Sequence, residues 1–374
     1  MFKKVLTVFC FSVLFTLLLC TEVSAQDISE LEKSVDVLMD SLSSQVREDL
    51  ISLGVDTVSI SATDKLTFNS VSKFIMNKMQ NESSSVLSCG AVVIAILVVT
   101  SVLENYRDGL RQTSMKEVLS VLSALCITTT LVVPVTQLMN SVVLTVTDAS
   151  NFMLLYIPIM VAIVSFSGHV VSGASYYSIM VLACEGVSQI TTKFIAPLLN
   201  VYLGFCVSAS LTDRVNLNGF CNTFSKIIKW LISFVMTVFT ALLTIRGMIT
   251  TAYDSVTTRA VRFTMSSFIP IVGAALSESY KTIQGSINLI RTGAGVFVIL
   301  AIFVVFTPTI IRCVLWLFTL NLCKSIKEII GVTSDINILA NVTSVISTVF
   351  AITVCVMAMF IISTALLITL GGGS

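Results

Sequence analysis

Four ionisable residues stand where water is scarce: Glu185, Arg246, Arg312 and His169 lie within or at the ends of long apolar runs. A charge in hydrocarbon is costly, so each must face a partner, a wet passage or the membrane edge. Such groups can pair across helices, hold or pass protons, or line a solute path. Glu185 and Arg246, of opposite charge, form the first pairing to test, as a packing salt bridge or a pore lining. Without a partner, burial would favour the protonated glutamate. Arg246 and Arg312 can also snorkel toward an interface. His169 is the sole histidine, which argues against a histidine-based metal centre. It is read as packing, with a ligand site as the sharper alternative.

No G-x-x-x-x-G-K-[ST] loop occurs, so the chain does not look like its own ATPase. No G-x-S-x-G, H-E-x-x-H or cysteine–histidine constellation occurs either. The expectation is a protein that is not an enzyme and needs no cofactor.

The surroundings of these residues explain their cost. Of 374 residues, 55% are hydrophobic and 11% charged, and the mean hydropathy is +0.96. A soluble domain carries roughly 25% charged residues. The composition therefore implies an all-α, polytopic transmembrane helical bundle, with the lipid bilayer as its solvent. A net charge of +1 points to no nucleic-acid partner. Ten cysteines without a C-x-x-C pair read as small apolar residues packed among helices.

The chain opens with Lys3 and Lys4, an apolar stretch from Val5 to Cys20, and small-residue-tolerant positions at Val23 and Ala25. That pattern predicts a signal peptide over residues 1–25, with an uncleaved anchor as the alternative. Leu19 argues against lipidation at Cys20. Gln26 onward then starts outside the cytoplasm.

Residues 26–83 form the one long polar stretch. Ile28, Leu31, Val35, Leu38, Leu42, Val46 and Leu50 recur at helical steps. Asp27 with Glu30 can cap that amphipathic helix, and Gly54 can end it. Its apolar stripe must lie on the membrane, fold back on this protein or meet another one.

Residues 84–370 hold the multi-span domain. Runs of about 20 apolar residues predict seven to eight spans, at Ser84–Leu103, Val118–Met139, Phe152–Ser172, Ala174–Thr192, Phe194–Thr212, Trp230–Thr250, Thr292–Ile311 and Ser344–Leu370. With the start outside, Arg107, Arg111 and Lys116 fall inside, as do Arg214, Lys226, Lys229, Arg312, Lys324 and Lys327. The loop holding Arg259, Arg262, Lys281 and Arg291 breaks the rule. It contains a short apolar stretch, residues 263–276, with Pro270 and Gly273 near its centre. Fourteen residues reach only about 21 Å as a helix. The stretch reads as a half-membrane, re-entrant element or as an interfacial helix. Small residues at Ser165–Ser175, and at Gly293 and Gly295, suit a tight hairpin and close helix contacts.

The stretch VRFTMSSFIPIVGAALSESYKTIQGS, within this order of spans, resembles the stage III sporulation protein AE family. The likeness covers most of the mature chain and is clearest from about Trp230 to Ser325, above all at Phe263, Ser267, Phe268, Ile269, Pro270, Val272 and Gly273. The resemblance implies a spore-forming bacterium of the Firmicutes type. It implies a non-enzymatic subunit of a channel or export apparatus, made in the mother cell and set in the membrane surrounding the forespore. The expected partners are membrane and ring-forming subunits of that complex and a separate ATPase. A stand-alone secondary transporter is the alternative.

Overall fold

The structure, a computed structural model, describes residues 37–55, 68–108, 114–166, 170–211, 218–268, 273–331 and 338–369. The leader at 1–25, the start of the polar segment, and His169, Ile269 and Pro270 lie outside the described residues. Every regular element among the described residues is helical: α1 (Ser44–Ser52), α2 (Phe68–Asp108), α3 (Ser114–Phe166), α4 (Val170–Ile190), a π-helical segment (Thr191–Ile195), α5 (Ala196–Leu211), α6 (Asn218–Phe268), α7 (Gly273–Ile330) and α8 (Ile338–Thr369). The all-α polytopic bundle expected from composition is the architecture.

Among the described residues, six helical stretches are long and apolar enough to cross a membrane, rather than seven to eight. Two pairs of runs have fused. Val118–Met139 and most of Phe152–Ser172, as far as Phe166, belong to one helix, α3. Its buried face runs Ile127, Leu131, Val135, Leu138, Val142, Val146, Ala149, Met153, Ile157, Met160 and Val164. These steps of four, four and three residues stay on one side of a nearly straight helix. Between the two runs Asn140, Asp148 and Asn151 fall on the exposed side, and the buried Ser150 donates its hydroxyl to the Val146 carbonyl, so none of them interrupts the helix.

The second pair, Ala174–Thr192 and Phe194–Thr212, is joined through the π segment. The Ala196 amide donates to the Thr191 carbonyl, five residues back. Pro197, which follows, has no amide to extend the ordinary ladder. The first span also starts earlier than its apolar run. α2 begins at Phe68, so the boundary drawn between residues 83 and 84 falls inside one continuous helix.

Hydroxyls in these helices bind their own backbone. Thr100, Thr136, Ser150, Thr353 and Thr364 each donate to the carbonyl four residues earlier. This satisfies them without water. Pro134, inside α3, removes the amide that would occupy the Thr130 carbonyl. The Cys89 thiol of α2 donates to that same oxygen at 3.7 Å.

The long helices are held by close approaches. A Cβ on Gly90 would run into Cγ2 of Thr319, so α2 lies against α7. One on Gly295 would run into Ile368, which sets α7 against α8 as expected of that glycine. Gly173 sits 3.4 Å from the Val161 carbonyl and 3.1 Å from Ser165 Oγ by the same measure, closing the α3–α4 hairpin. Large apolar side chains remain exposed outside, including Leu182 on α4 and the stacked Trp230–Phe234 pair on α6. Such faces suit lipid.

The amphipathic stretch before α2 folds back on this chain. Leu38, Leu42, Leu50, Leu53 and Val55 are buried in the common core. It is not one helix: residues 37–40 are helical, and Ser43 then caps α1 by accepting from the Val46 amide. The other end matches expectation. Gly54 takes φ 90°, its amide donates to Ile51, and the Val55 amide donates to Leu50. This is a Schellman closure, with Val55 and Leu50 as its buried apolar pair.

Candidate functional site

α1, α2, α3 and α7 line a cavity of about 530 Å³ that is partly open to the exterior and has both polar and apolar walls. Each wall has its own reason for facing inward. Thr145, Asp148 and Asn151 line it from α3. Spaced three apart, they share one helix side, opposite the seam of Val142, Val146, Ala149 and Met153. α7 brings Val304, Pro308, Thr309 and Arg312. α2 brings Glu82, and the chain around α1 closes the cavity with Ser41, Ser43, Gln45 and Asp49.

Two ion pairs hold these walls. Arg312 Nε donates to Glu82 Oε2 at 2.8 Å, and Nη2 to Oε1 at 2.7 Å. This bidentate fork fixes both position and orientation. Lys78 Nζ lies 2.8 Å from Asp49 Oδ2, with both side chains about 15% exposed or less, and 5.8 Å from the centre of the Phe74 ring. It therefore ties α1 to α2 by charge and by a cation–π contact. Across the cavity, the Thr145 and Thr309 hydroxyls meet at 2.7 Å.

The sequence-derived candidates scatter. Arg312 is in the cavity wall, paired with Glu82 rather than left at a membrane edge. Glu185 is exposed on α4. Arg246 lies in α6, its side chain beyond the described atoms, so the pairing of these two is not brought together here. His169 falls between α3 and α4, outside the described residues. Of the 263–276 stretch, Phe263, Ser267 and Phe268 complete the backbone of α6, and Gly273 opens α7. Four residues containing Ile269 and Pro270 separate these two long helices.

Other polar residues escaped the sequence reading. Asp148, which falls between two of the apolar runs, is mid-helix within the stretch Val121–Phe166. Arg291, assigned to a loop, is 2% exposed in α7 and lies within electrostatic range of Tyr156 of α3. Nearby, the Tyr176 hydroxyl meets Ser363 Oγ at 3.0 Å, joining α4 to α8. The three-residue spacing of Thr145, Asp148 and Asn151 was the available signal for the cavity wall.

Six long apolar helical stretches, many of whose hydroxyls donate to their own helix backbone, define a multi-pass α-helical membrane protein. Residues 55–371 match the family model of Stage III sporulation protein AE, and the chain belongs to that family, as the resemblance implied. Stage III sporulation protein AE of Bacillus subtilis (strain 168) is 18% identical over 222 residues, 59% of this chain and 56% of that relative. The chain thus matches little more than half the length of that curated relative. No solved structure matches the chain.

Proposed function

We propose that this sporulation protein is a non-enzymatic membrane subunit of a multiprotein channel or export apparatus linking mother cell and forespore, needed for forespore development. The observation that carries the reading is the family match across residues 55–371. The bundle is compatible with it: three of the long helices and the amino-terminal segment line a cavity partly open to the exterior. In this reading the protein sits in the mother-cell membrane surrounding the forespore, with α1 in the space between the two membranes. Its partners are other membrane subunits, ring-forming subunits and a separate ATPase. In this reading the 263–276 stretch enters the membrane part-way or rests at its surface, where it meets a partner or the passage.

Deletion in the spore former that encodes the chain tests this. Engulfed forespores should stall, and the full chain supplied in the mother cell should restore spores. Normal sporulation without it would reject the reading. A stand-alone secondary transporter is favoured by the cavity itself, with a carboxylate beside a proline-containing helix. Solute flux by the purified chain in proteoliposomes would support that alternative; flux only with co-purified partners supports the channel subunit.

A further inference from the structure

We infer that the bundle meets its bilayer obliquely: one height of the protein lies at the headgroups of one leaflet on the α2 flank and of the opposite leaflet on the α6 flank. Contacts between helices fix the heights. α2 packs on α3 and α7, and α6 chiefly on α8 and α4, so the two flank the bundle. Gly295 near the start of α7 abuts Ile368 at the end of α8, which makes these helices antiparallel. Arg312 lies seventeen residues after Gly295, and Ala351 seventeen before Ile368, so the two are level. Ala351 is three residues past Thr348, whose hydroxyl meets that of Ser225 of α6 at 2.8 Å. α6 runs parallel to α8, because Leu231 and Met236 share a pocket with Cys355 and Met359. Three residues past Ser225 is Ile228, beside Lys229. Glu82, gripped by Arg312 on one flank, and Lys229 on the other therefore stand at one height.

Both helices change character at that height, in opposite directions. α2 exposes Lys73, Asn77 and Gln80 before Glu82, then carries no charge from Ser83 to Leu103. The α1 segment beside it bears the open Arg47–Asp40 pair, its side chains 49% and 69% exposed, which hydrocarbon would not tolerate. α6 exposes Asn222, Thr223 and Lys226 before Lys229, then carries no charge from Trp230 to Ile245. Ser101 of α2 donates to the Ile330 carbonyl at the end of α7, so the uncharged part of α2 points toward the end of the bundle where α8 begins. α6 runs parallel to α8, so its uncharged part points away from that end. A slab set square to the helices cannot have its two edges at one height; an oblique slab can. Trp230, 65% exposed and stacked on Phe234, stands where α6 changes, as an interfacial aromatic does. Beyond it Phe234, Val238, Leu242 and Ile245 face outward, and the exposed Thr237 and Thr244 donate to their own backbone. Length agrees with this placement. The stretch Val121–Phe166 has 46 residues, about 69 Å at ~1.5 Å each, against ~30 Å of hydrocarbon. Tilt is an ordinary accommodation of such an excess.

The inference rests on register and exposure and not on the sporulation reading. Two measurements on the full chain test it. Gln80→Cys and Lys226→Cys are each introduced with the exposed Cys126 replaced by serine, and sealed vesicles of either orientation are treated with a charged maleimide. Each should label roughly tenfold or more faster from one face of the membrane, and the two from opposite faces. Asn77→Cys and Asn222→Cys take their place where either fails to fold. Val99→Cys and Leu242→Cys should react only with a lipid-soluble reagent. Polarised infrared dichroism of the purified, reconstituted chain should then put the mean helix axis more than ~25° from the membrane normal, past the ~20° average of transmembrane helices. Labelling of the two polar positions from one face would overturn the placement. So would reaction of Leu242→Cys with the charged reagent, or a smaller mean tilt.

Discussion

Arg312 clasps Glu82 through two parallel hydrogen bonds of 2.8 and 2.7 Å, joining α7 to α2 across 230 residues of chain. The pair is partly shielded, its side chains 35% and 24% exposed. Its worth falls between that of surface and buried pairs, about 1–3 kcal/mol on loss of one partner. Arg312→Ala and Glu82→Ala should each lower the melting temperature in detergent. The exchanged pair, Glu82→Arg with Arg312→Glu, should recover part of the loss. No recovery in the exchanged protein would show that each residue acts alone.

Lys78 holds α1 through Asp49 at 2.8 Å. Lys78→Met should loosen the segment 37–55 without unfolding the bundle, because the long helices pack independently of it. Hydrogen exchange at Leu50 and Leu53 should rise while that of α3 stays protected. Leu50→Ala, at a fully buried position, should cost about 2–5 kcal/mol of local stability. Equal exchange in wild type and Lys78→Met would remove the ion pair as the fastening.

Gly90 is fixed by Thr319. Gly90→Ala would drive a methyl into Cγ2 of that β-branched residue, which has few rotamers to escape into. A loss of about 1–3 kcal/mol is expected from overpacking. Thr319→Ser removes the opposing methyl and should restore most of it in the double variant. Additive losses in thermal melts would refute the contact.

The cavity wall and the outer face of α3 should react differently with thiol reagents. Asn151→Cys, lining the cavity, should label with a charged maleimide. Val133→Cys, at a position 59% exposed on the apolar surface, should label only with a lipid-soluble reagent. If both react with the charged reagent, the bundle does not meet lipid where its apolar face implies.

The apolar runs located helices but not their ends. A run-based reading averages over all sides of a helix, so Asp148 and Asn151 looked like a loop between two spans. Only the three-dimensional face separates them from Val146 and Ala149, which are buried a few atoms away. Glu82 was obscured for the same reason: the polar residues from Phe68 onward continue the helix without being apolar. Gly54, Gly173 and Gly295 were legible, because a turn or a close approach leaves a local mark on residue type. The partner of Arg312 was not, since a contact between residues 82 and 312 has no local signature. The family was legible from one stretch, whose residues end α6 and begin α7.

α7 runs unbroken for 58 residues, about 87 Å at ~1.5 Å per residue. Crossing ~30 Å of hydrocarbon consumes about 39 Å of helix even at a steep tilt of ~40°. More than half of this rod is overhang. With α6 beside it at 51 residues, the protein owns enough stiff length to reach well past the headgroups of its own bilayer.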